Sequence, residues 1–142
     1  MIKNIRHTGI VVVDMEASLN FYRDLFGFKV IKKQNETGGF IDKILGLSDV
    51  NVTTVKMVAS RGQMIELLKY DVPTSKNVPR KIFEIGISHI AFTVDDLNKQ
   101  YARLQNEGVR FVSSPRLSPD GIARVAFCRA PEGTFVELVE AI

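Results

Sequence analysis

Two histidines and two glutamates stand at repeated places along the chain, and their side chains could bind a metal ion. His7 and His89 are the only histidines, and each begins an apolar run, TGIVVV after His7 and IAFTV after His89. Glu66 lies within MIELL and Glu137 within FVELV. Imidazole nitrogens and carboxylate oxygens bind divalent transition metals, and carboxylates can also act as general bases.

The surroundings of the two glutamates favour the metal over a solvent-facing role. In a β-strand, side chains alternate between two faces, and the neighbours of both glutamates are apolar on either face. An unpaired buried carboxylate costs several kcal/mol, so such groups are normally paired, neutralised or bound to a metal. A lone histidine or glutamate is more often structural, but here the coincidence occurs twice. We therefore predict one divalent metal ion bound by His7, Glu66, His89 and Glu137.

The segments after the two histidines have the same layout. Asp14 and Asp96 each lie seven residues beyond their histidine, where each is predicted to cap the N-terminus of a helix. Apolar residues then recur at helical spacing. Gly27 and Gly108 follow, and glycine tolerates the left-handed conformation in which many helices end. Each copy therefore begins with a strand, a helix and a turn.

Three further strands are predicted in each copy. β-Branched and aromatic runs separated by turn-forming residues indicate them, and they are FKVIKK, 52–59 and 64–70 in the first copy and VRFVSS, 123–130 and 134–140 in the second. The predicted class is α+β, with two tandem βαβββ modules. We expect them to span 1–70 and 86–142 of a single domain, with 71–85 as a proline-containing linker. The segment 36–50 is an asymmetric insert, either a short helix or a mobile flap.

Composition limits the classes of function. The chain has 142 residues, of which 45% are hydrophobic and 25% charged, as in ordinary globular proteins. Its net charge of +3 comes from scattered basic residues without interleaved aromatics, which argues against a nucleic-acid partner. Apolar stretches are too short for a membrane span. With no evident leader sequence and one cysteine, Cys128, we expect a cytoplasmic protein.

The chain resembles the vicinal oxygen chelate superfamily over nearly its whole length. The resemblance rests on HTGIVVVDMEASLNFYRDLFGF, SHIAFTVDDLNKQYARLQNEGV and APEGTFVELVE. This superfamily includes glyoxalase I, methylmalonyl-CoA epimerase, extradiol dioxygenases, and the fosfomycin and bleomycin resistance proteins. The resemblance implies βαβββ modules whose mixed sheets curve into a cup around a metal, with His7, Glu66, His89 and Glu137 at the ligand positions.

A site of this kind implies enolate chemistry. In glyoxalase I-like sites a metal-bound glutamate leaves the metal to act as base, a role that would fall here to Glu66 or Glu137. The expected activity is that of a lyase, isomerase or epimerase acting on a small oxygenated metabolite. The position of Val11 resembles the arginine site that holds glutathione in glyoxalase I of bacterial type. A valine at this position argues against glutathione as the co-substrate. The metal could be nickel, cobalt, zinc, manganese or iron.

Two alternatives remain open from the sequence. An iron-dependent ring-cleaving dioxygenase would use His7, His89 and Glu137 as ligands, with Glu66 beside them. A non-catalytic protein could instead bind a small molecule, such as an antibiotic, in the cup. In each case we expect a homodimer, because a single βαβββ unit leaves open sheet edges. Whether the two histidine–glutamate pairs meet within one chain or across two chains is undecided.

Overall fold

Each half of the chain forms its own four-stranded mixed sheet. The computed structural model describes all of residues 1–142, and these divide into two units, Met1–Asn77 and Val78–Ile142. None of the helices is long and apolar enough to cross a membrane. The division falls inside the proline-containing stretch between the two copies.

The first unit contains four strands, and its sheet order is β1-β4-β3-β2. β1 runs parallel to β4, and the other neighbours are antiparallel. In chain order the elements are β1 (Thr8–Val11), α1 (Met15–Leu19), β2 (Lys29–Thr37), α2 (Gly39–Leu45), β3 (Asn51–Val58) and β4 (Met64–Val72). A π-helical segment, Asn20–Leu25, continues α1.

The first helix begins and ends as the sequence predicts. The Asp14 carboxylate accepts a hydrogen bond from the backbone N–H of Ala17 at 3.1 Å, and Gly27 follows the helical segment with φ of 79°. Tyr22 is fully buried, as are Leu67 and Met57 of the sheet. Leu67 and Met57 lie on one face of the sheet, and Glu66 of β4 lies on the other.

The insert is a helix and not a loose flap. Ile41 of α2 is buried with Val50 and Val52, and Leu68 and Tyr70 of β4 pack against them. The Asp42 carboxylate accepts from the backbone N–H groups of Asp49 and Val50, at 3.2 and 2.8 Å, which closes the following loop. Because alternate residues of β4 share a face, α2 covers the same sheet face to which Glu66 belongs.

The second unit repeats the order of the first, with the sheet order β5-β8-β7-β6. Again the first strand is parallel to the last, and the others are antiparallel. The elements are β5 (His89–Thr93), α3 (Leu97–Asn106), β6 (Arg116–Leu117), β7 (Ala123–Arg129) and β8 (Phe135–Ala141). The predicted α+β class and the two βαβββ modules are confirmed.

The helix of the second unit also has the predicted ends. Asp96 accepts from the backbone N–H of Lys99 at 2.9 Å, and Gly108 has φ of 85°. Leu104 of α3 and Cys128 of β7 are buried in the core of this unit.

One predicted strand is wrong. The stretch 109–114 forms only an isolated bridge at Phe111, and the short strand β6 lies further on, at Arg116–Leu117. The apolar residues in VRFVSS predict a full strand, and the Phe111 ring does pack against Tyr101 of α3, with the ring centroids 4.7 Å apart. The backbone pairs with β7 only beside the bridge, where the Val112 N–H donates to the Phe127 carbonyl and the Arg129 N–H donates to the Arg110 carbonyl.

Candidate metal centre

In the first unit, the structure brings His7 and Glu66 together. His7 directly precedes β1, and Gly9 of that strand lies opposite Glu66 of β4. The distance from His7 Nε2 to Glu66 Oε2 is 3.4 Å. Glu66 is buried, with 8% of the residue exposed, whereas the His7 side chain is 34% exposed. A buried carboxylate beside an accessible imidazole can accept a cation arriving from that side.

A third side chain, Lys56, joins this pair. Lys56 lies directly opposite Glu66 on the neighbouring strand β3, and its Nζ atom is 3.9 Å from Glu66 Oε2. Sequence reasoning missed this residue. The signal was one charged side chain within the otherwise apolar end of the strand, VKMVA.

In the second unit, His89 and Glu137 form the corresponding pair. His89 Nε2 is 3.1 Å from Glu137 Oε2, and the His89 side chain is 35% exposed. Ala91 lies opposite Glu137 on β5, as Gly9 lies opposite Glu66 on β1. The same register in both sheets therefore presents one imidazole and one carboxylate.

The surroundings of this second pair differ from those of the first. Ser88 Oγ lies 2.5 Å from His89 Nδ1, so the second ring nitrogen is held and Nε2 faces the carboxylate. On β7, the residue opposite Glu137 is Phe127, whose ring meets the His89 ring edge to face at 5.2 Å. An aromatic ring thus stands where the first unit has an ammonium group.

The four predicted ligands lie in two pairs, one in each unit. Neither pair is part of a group of three or more His, Cys, Asp or Glu side chains that could hold a metal. The donor chemistry of each pair nevertheless fits a divalent transition metal, because an imidazole nitrogen and a carboxylate oxygen already converge. Metal-bound histidines normally donate their other ring N–H to a polar neighbour, and Ser88 is such a partner for His89.

Comparison with known proteins assigns the family. The profile described as Glyoxalase/Bleomycin resistance protein/Dioxygenase superfamily matches residues 4–138. The chain belongs to this superfamily. The predicted resemblance to the vicinal oxygen chelate proteins is therefore confirmed.

The sequence relatives of the chain include an uncharacterized protein and a lactoylglutathione lyase. The chain is 27% identical over 141 residues to the uncharacterized protein YwbC of Bacillus subtilis, covering 99% of both chains. It is 30% identical over 146 residues to the lactoylglutathione lyase of Schizosaccharomyces pombe, covering 95% of this chain and 46% of that enzyme. The chain thus spans about half the length of the yeast lyase.

Solved structures of glyoxalase-superfamily proteins share the fold. The glyoxalase family protein from Bacillus cereus matches with a TM-score of 0.89 at 22% identity, over 100% of this chain and 96% of that one. The fosfomycin resistance protein FosX from Listeria monocytogenes, complexed with Mn(II) and sulfate, matches with a TM-score of 0.69 at 16% identity, over 100% and 95%. One protein with this fold was therefore solved with a divalent metal, Mn(II).

Proposed function

We propose that this chain is a metal-dependent lyase, isomerase or epimerase of the glyoxalase I type. It would remove a proton from the carbon beside a carbonyl group of a small oxygenated metabolite, through an enolate or enediolate. One observation carries the proposal: a histidine and a glutamate pair at the same register of both sheets, at 3.4 and 3.1 Å. Two imidazoles and two carboxylates form a donor set suited to one divalent ion.

His7, Glu66, His89 and Glu137 are the proposed ligands, and the ion would be nickel, cobalt, zinc, manganese or iron. When bound, such an ion acts as a Lewis acid and stabilises negative charge on substrate oxygens. The Mn(II) complex of FosX supports a divalent ion. Each unit holds one of the two histidine–glutamate pairs.

Proton transfer is the role proposed for Glu66 or Glu137. A general base must lie within hydrogen-bond reach of the proton it removes. Both carboxylates project from a strand beside their histidine, so either can serve a substrate bound at the ligands. The yeast lyase relative supports a lyase or isomerase, while Val11 argues against glutathione as the co-substrate.

Hydrogen exchange in deuterated water tests this proposal before the substrate is known. The metal-loaded protein is incubated with 2-hydroxy-acyl compounds, 2-oxo-aldehyde adducts and acyl thioesters. Deuterium entering the carbon beside the carbonyl is the expected result, and Glu66→Gln or Glu137→Gln should lose about 10²–10⁴-fold in exchange rate. The Glu36→Gln variant, which changes a carboxylate outside the proposed site, is the control. Exchange that survives both site variants would contradict the proposed bases.

One observation favours a second candidate, an iron-dependent ring-cleaving dioxygenase. Glu66 has a partner of its own in Lys56, at 3.9 Å, so it could remain paired while His7, His89 and Glu137 alone held iron. Two histidines and one carboxylate are the ligand set of many non-haem iron oxygenases. Oxygen uptake with catechols or hydroquinones, undiminished in Glu66→Gln and without hydrogen exchange, would select this candidate.

A further inference from the structure

We propose that Lys56 and Lys32 form a subsite that binds an anionic group of the substrate, a carboxylate, phosphate or phosphonate, beside the metal. This inference rests on the proposed function, because it names the class of substrate for that site. It would make the substrate an oxygenated metabolite with a negatively charged group close to the carbon that loses its proton.

Strand register places the two lysines in one row with Glu66. Lys56 of β3 lies opposite Glu66 of β4, and Lys32 of β2 lies opposite Lys56. Residues directly opposite each other in adjacent strands share a face, with Cβ atoms about 4.5–5.5 Å apart in antiparallel pairs. The row therefore reads carboxylate, ammonium, ammonium across three strands.

A β-bulge sets this row. Val30 pairs with Met57 and Lys32 pairs with Lys56, so Ile31 is an extra residue without a counterpart on β3. Bulges often re-aim side chains next to functional sites. In an unbroken register Ile31 would lie opposite Lys56, and Lys32 would belong to the other face.

The charge of this row is unbalanced. Like charges directly opposite each other on a sheet are destabilising. Lys56 is within 4 Å of only one carboxylate, Glu66, and Lys32 forms no ion pair. Glu36 is a carboxylate of β2 on the same face of the sheet, and it accepts a hydrogen bond from Gln34 at 2.7 Å. Once Glu66 binds a divalent cation, the positive charge of both lysines is left for an incoming anion.

The subsite belongs to the first unit alone. In the second unit Phe127 takes the place of Lys56 opposite the glutamate. An ammonium group 3.9 Å from a proposed ligand oxygen repels a bound cation, so Lys56 weakens the proposed metal site. Recognition of a substrate anion is a purpose that explains why a lysine stands there and a neutral ring stands in the other copy.

Anion titration of the zinc-loaded full chain tests the proposal. The probes are methylphosphonate and acetate, and backbone amide shifts in nuclear magnetic resonance spectra give the dissociation constants. Lys56→Met should weaken binding of the preferred anion roughly 10-fold or more and Lys32→Met about 3-fold, as expected for losing one charge in a partly solvated site. Preference for methylphosphonate would assign a phosphate or phosphonate group, and preference for acetate a carboxylate.

Matched variants separate charge from fold. Lys33→Met changes the next lysine of β2, which pairs with Val55 on the opposite face, and it should leave anion binding unchanged. Lys56→Arg should retain most of the affinity. Lys56→Met should also raise zinc affinity about 3- to 10-fold, because a positive charge next to a ligand is removed.

A metal-free arm distinguishes failure of this inference from failure of the proposed function. Without zinc, Glu66→Gln should bind the preferred anion more tightly than the parent, since the competing carboxylate is gone, and adding Lys56→Met should cancel the gain. A parent that binds none of nickel, cobalt, zinc, manganese and iron would contradict the proposed function only. Equal anion affinity of the parent and Lys56→Met, with and without zinc, would overturn the lysine subsite.

Discussion

Ser88 Oγ lies 2.5 Å from Nδ1 of His89, and this contact distinguishes His89 from His7. The residue before His7 is Arg6, and the polar contact of the His7 ring is that of Nε2 with Glu66. If the ring N–H of His89 is donated to Ser88, the Nε2 lone pair is free to bind a cation. Two residues that look equivalent in the sequence therefore differ in how firmly their rings are oriented.

Ser88→Ala should weaken metal binding without abolishing it. Loss of the partner that orients a metal-bound histidine typically costs 10- to 100-fold in affinity. Competition with a coloured chelator for zinc or cobalt measures the change. Ser88→Thr, which keeps the hydroxyl, should stay close to the parent, and a weakening as large as that of Ser88→Ala would contradict the role of the hydroxyl.

Loss of either histidine should reduce metal binding more severely. We expect one divalent ion for each set of His7, Glu66, His89 and Glu137, and His7→Ala or His89→Ala should each lower the affinity by at least about 100-fold, since an inner ligand is lost. Elemental analysis after reconstitution and dialysis gives the stoichiometry. Glu36→Gln is the control, and metal retained equally in His89→Ala would show that the ligand assignment is wrong.

The two aspartate caps should matter for stability and not for metal binding. Asp14 and Asp96 each accept a hydrogen bond from a backbone N–H of the first helical turn, at 3.1 and 2.9 Å. Asp14→Ala and Asp96→Ala should each lower the free energy of unfolding by about 1 kcal/mol. Denaturant titration measures this. The neighbouring Asp95→Ala, which removes no such bond, should change stability by less than about 0.5 kcal/mol.

Cys128 should make stability depend on alkaline pH. Burial raises the pKa of this thiol from 9.0 to about 12. The folded chain therefore keeps its proton at a pH where the unfolded chain loses it. The stabilisation is fully present below about pH 9 and declines as the pH rises towards 12. Between about pH 8 and 10.5, the parent should lose about 2 kcal/mol more stability than Cys128→Ala.

Thiol labelling offers a second test of Cys128. The folded protein at about pH 9 should react with a thiol reagent far more slowly than the unfolded chain, by about 100-fold or more, because the thiolate is the reactive form. Rapid labelling of the folded protein would contradict the raised pKa. No change in metal content is expected, since Cys128 lies in the buried core of the second unit.

A homodimer is the expected assembly. In each unit the outer strands leave sheet edges, β1 and β2 in the first and β5 and β6 in the second, and proteins usually cover or pair such edges. Sedimentation of the metal-loaded protein at micromolar concentration should give about twice the 15.9 kDa mass of one chain. A stable metal-loaded monomer would contradict this prediction.

The sequence predicts the repeated parts of the structure well, because each of them depends on local chemistry. An aspartate directly before a helix, such as Asp14, can cap its N-terminus, and Gly27 accepts a positive φ without a steric cost. The sequence predicts equivalent strand positions for Glu66 and Glu137, because the same pattern of apolar residues flanks both. The repeat of one histidine and one glutamate in each copy also predicts that each glutamate pairs with its histidine.

The sequence does not predict features that depend on strand register. Nothing in VKMVA tells which residue of β4 lies opposite Lys56, because that pairing is set by the turn between the strands and by bulges. Phe111 similarly stands in an apolar run that predicts a strand, yet its segment forms only one bridge, to Cys128. The helix within 36–50 is held by Ile41 and Asp42, through contacts with residues that follow it in the chain.

The bulge at Ile31 also bears on how this protein can change its length during evolution. An extra residue absorbed in a bulge leaves the pairing on both sides intact, with Val30 opposite Met57 and Lys32 opposite Lys56. Deletion of Ile31 would join these two stretches into a regular strand with the same partners. Homologues could therefore gain or lose a residue here while the side chains facing Glu66 stay the same.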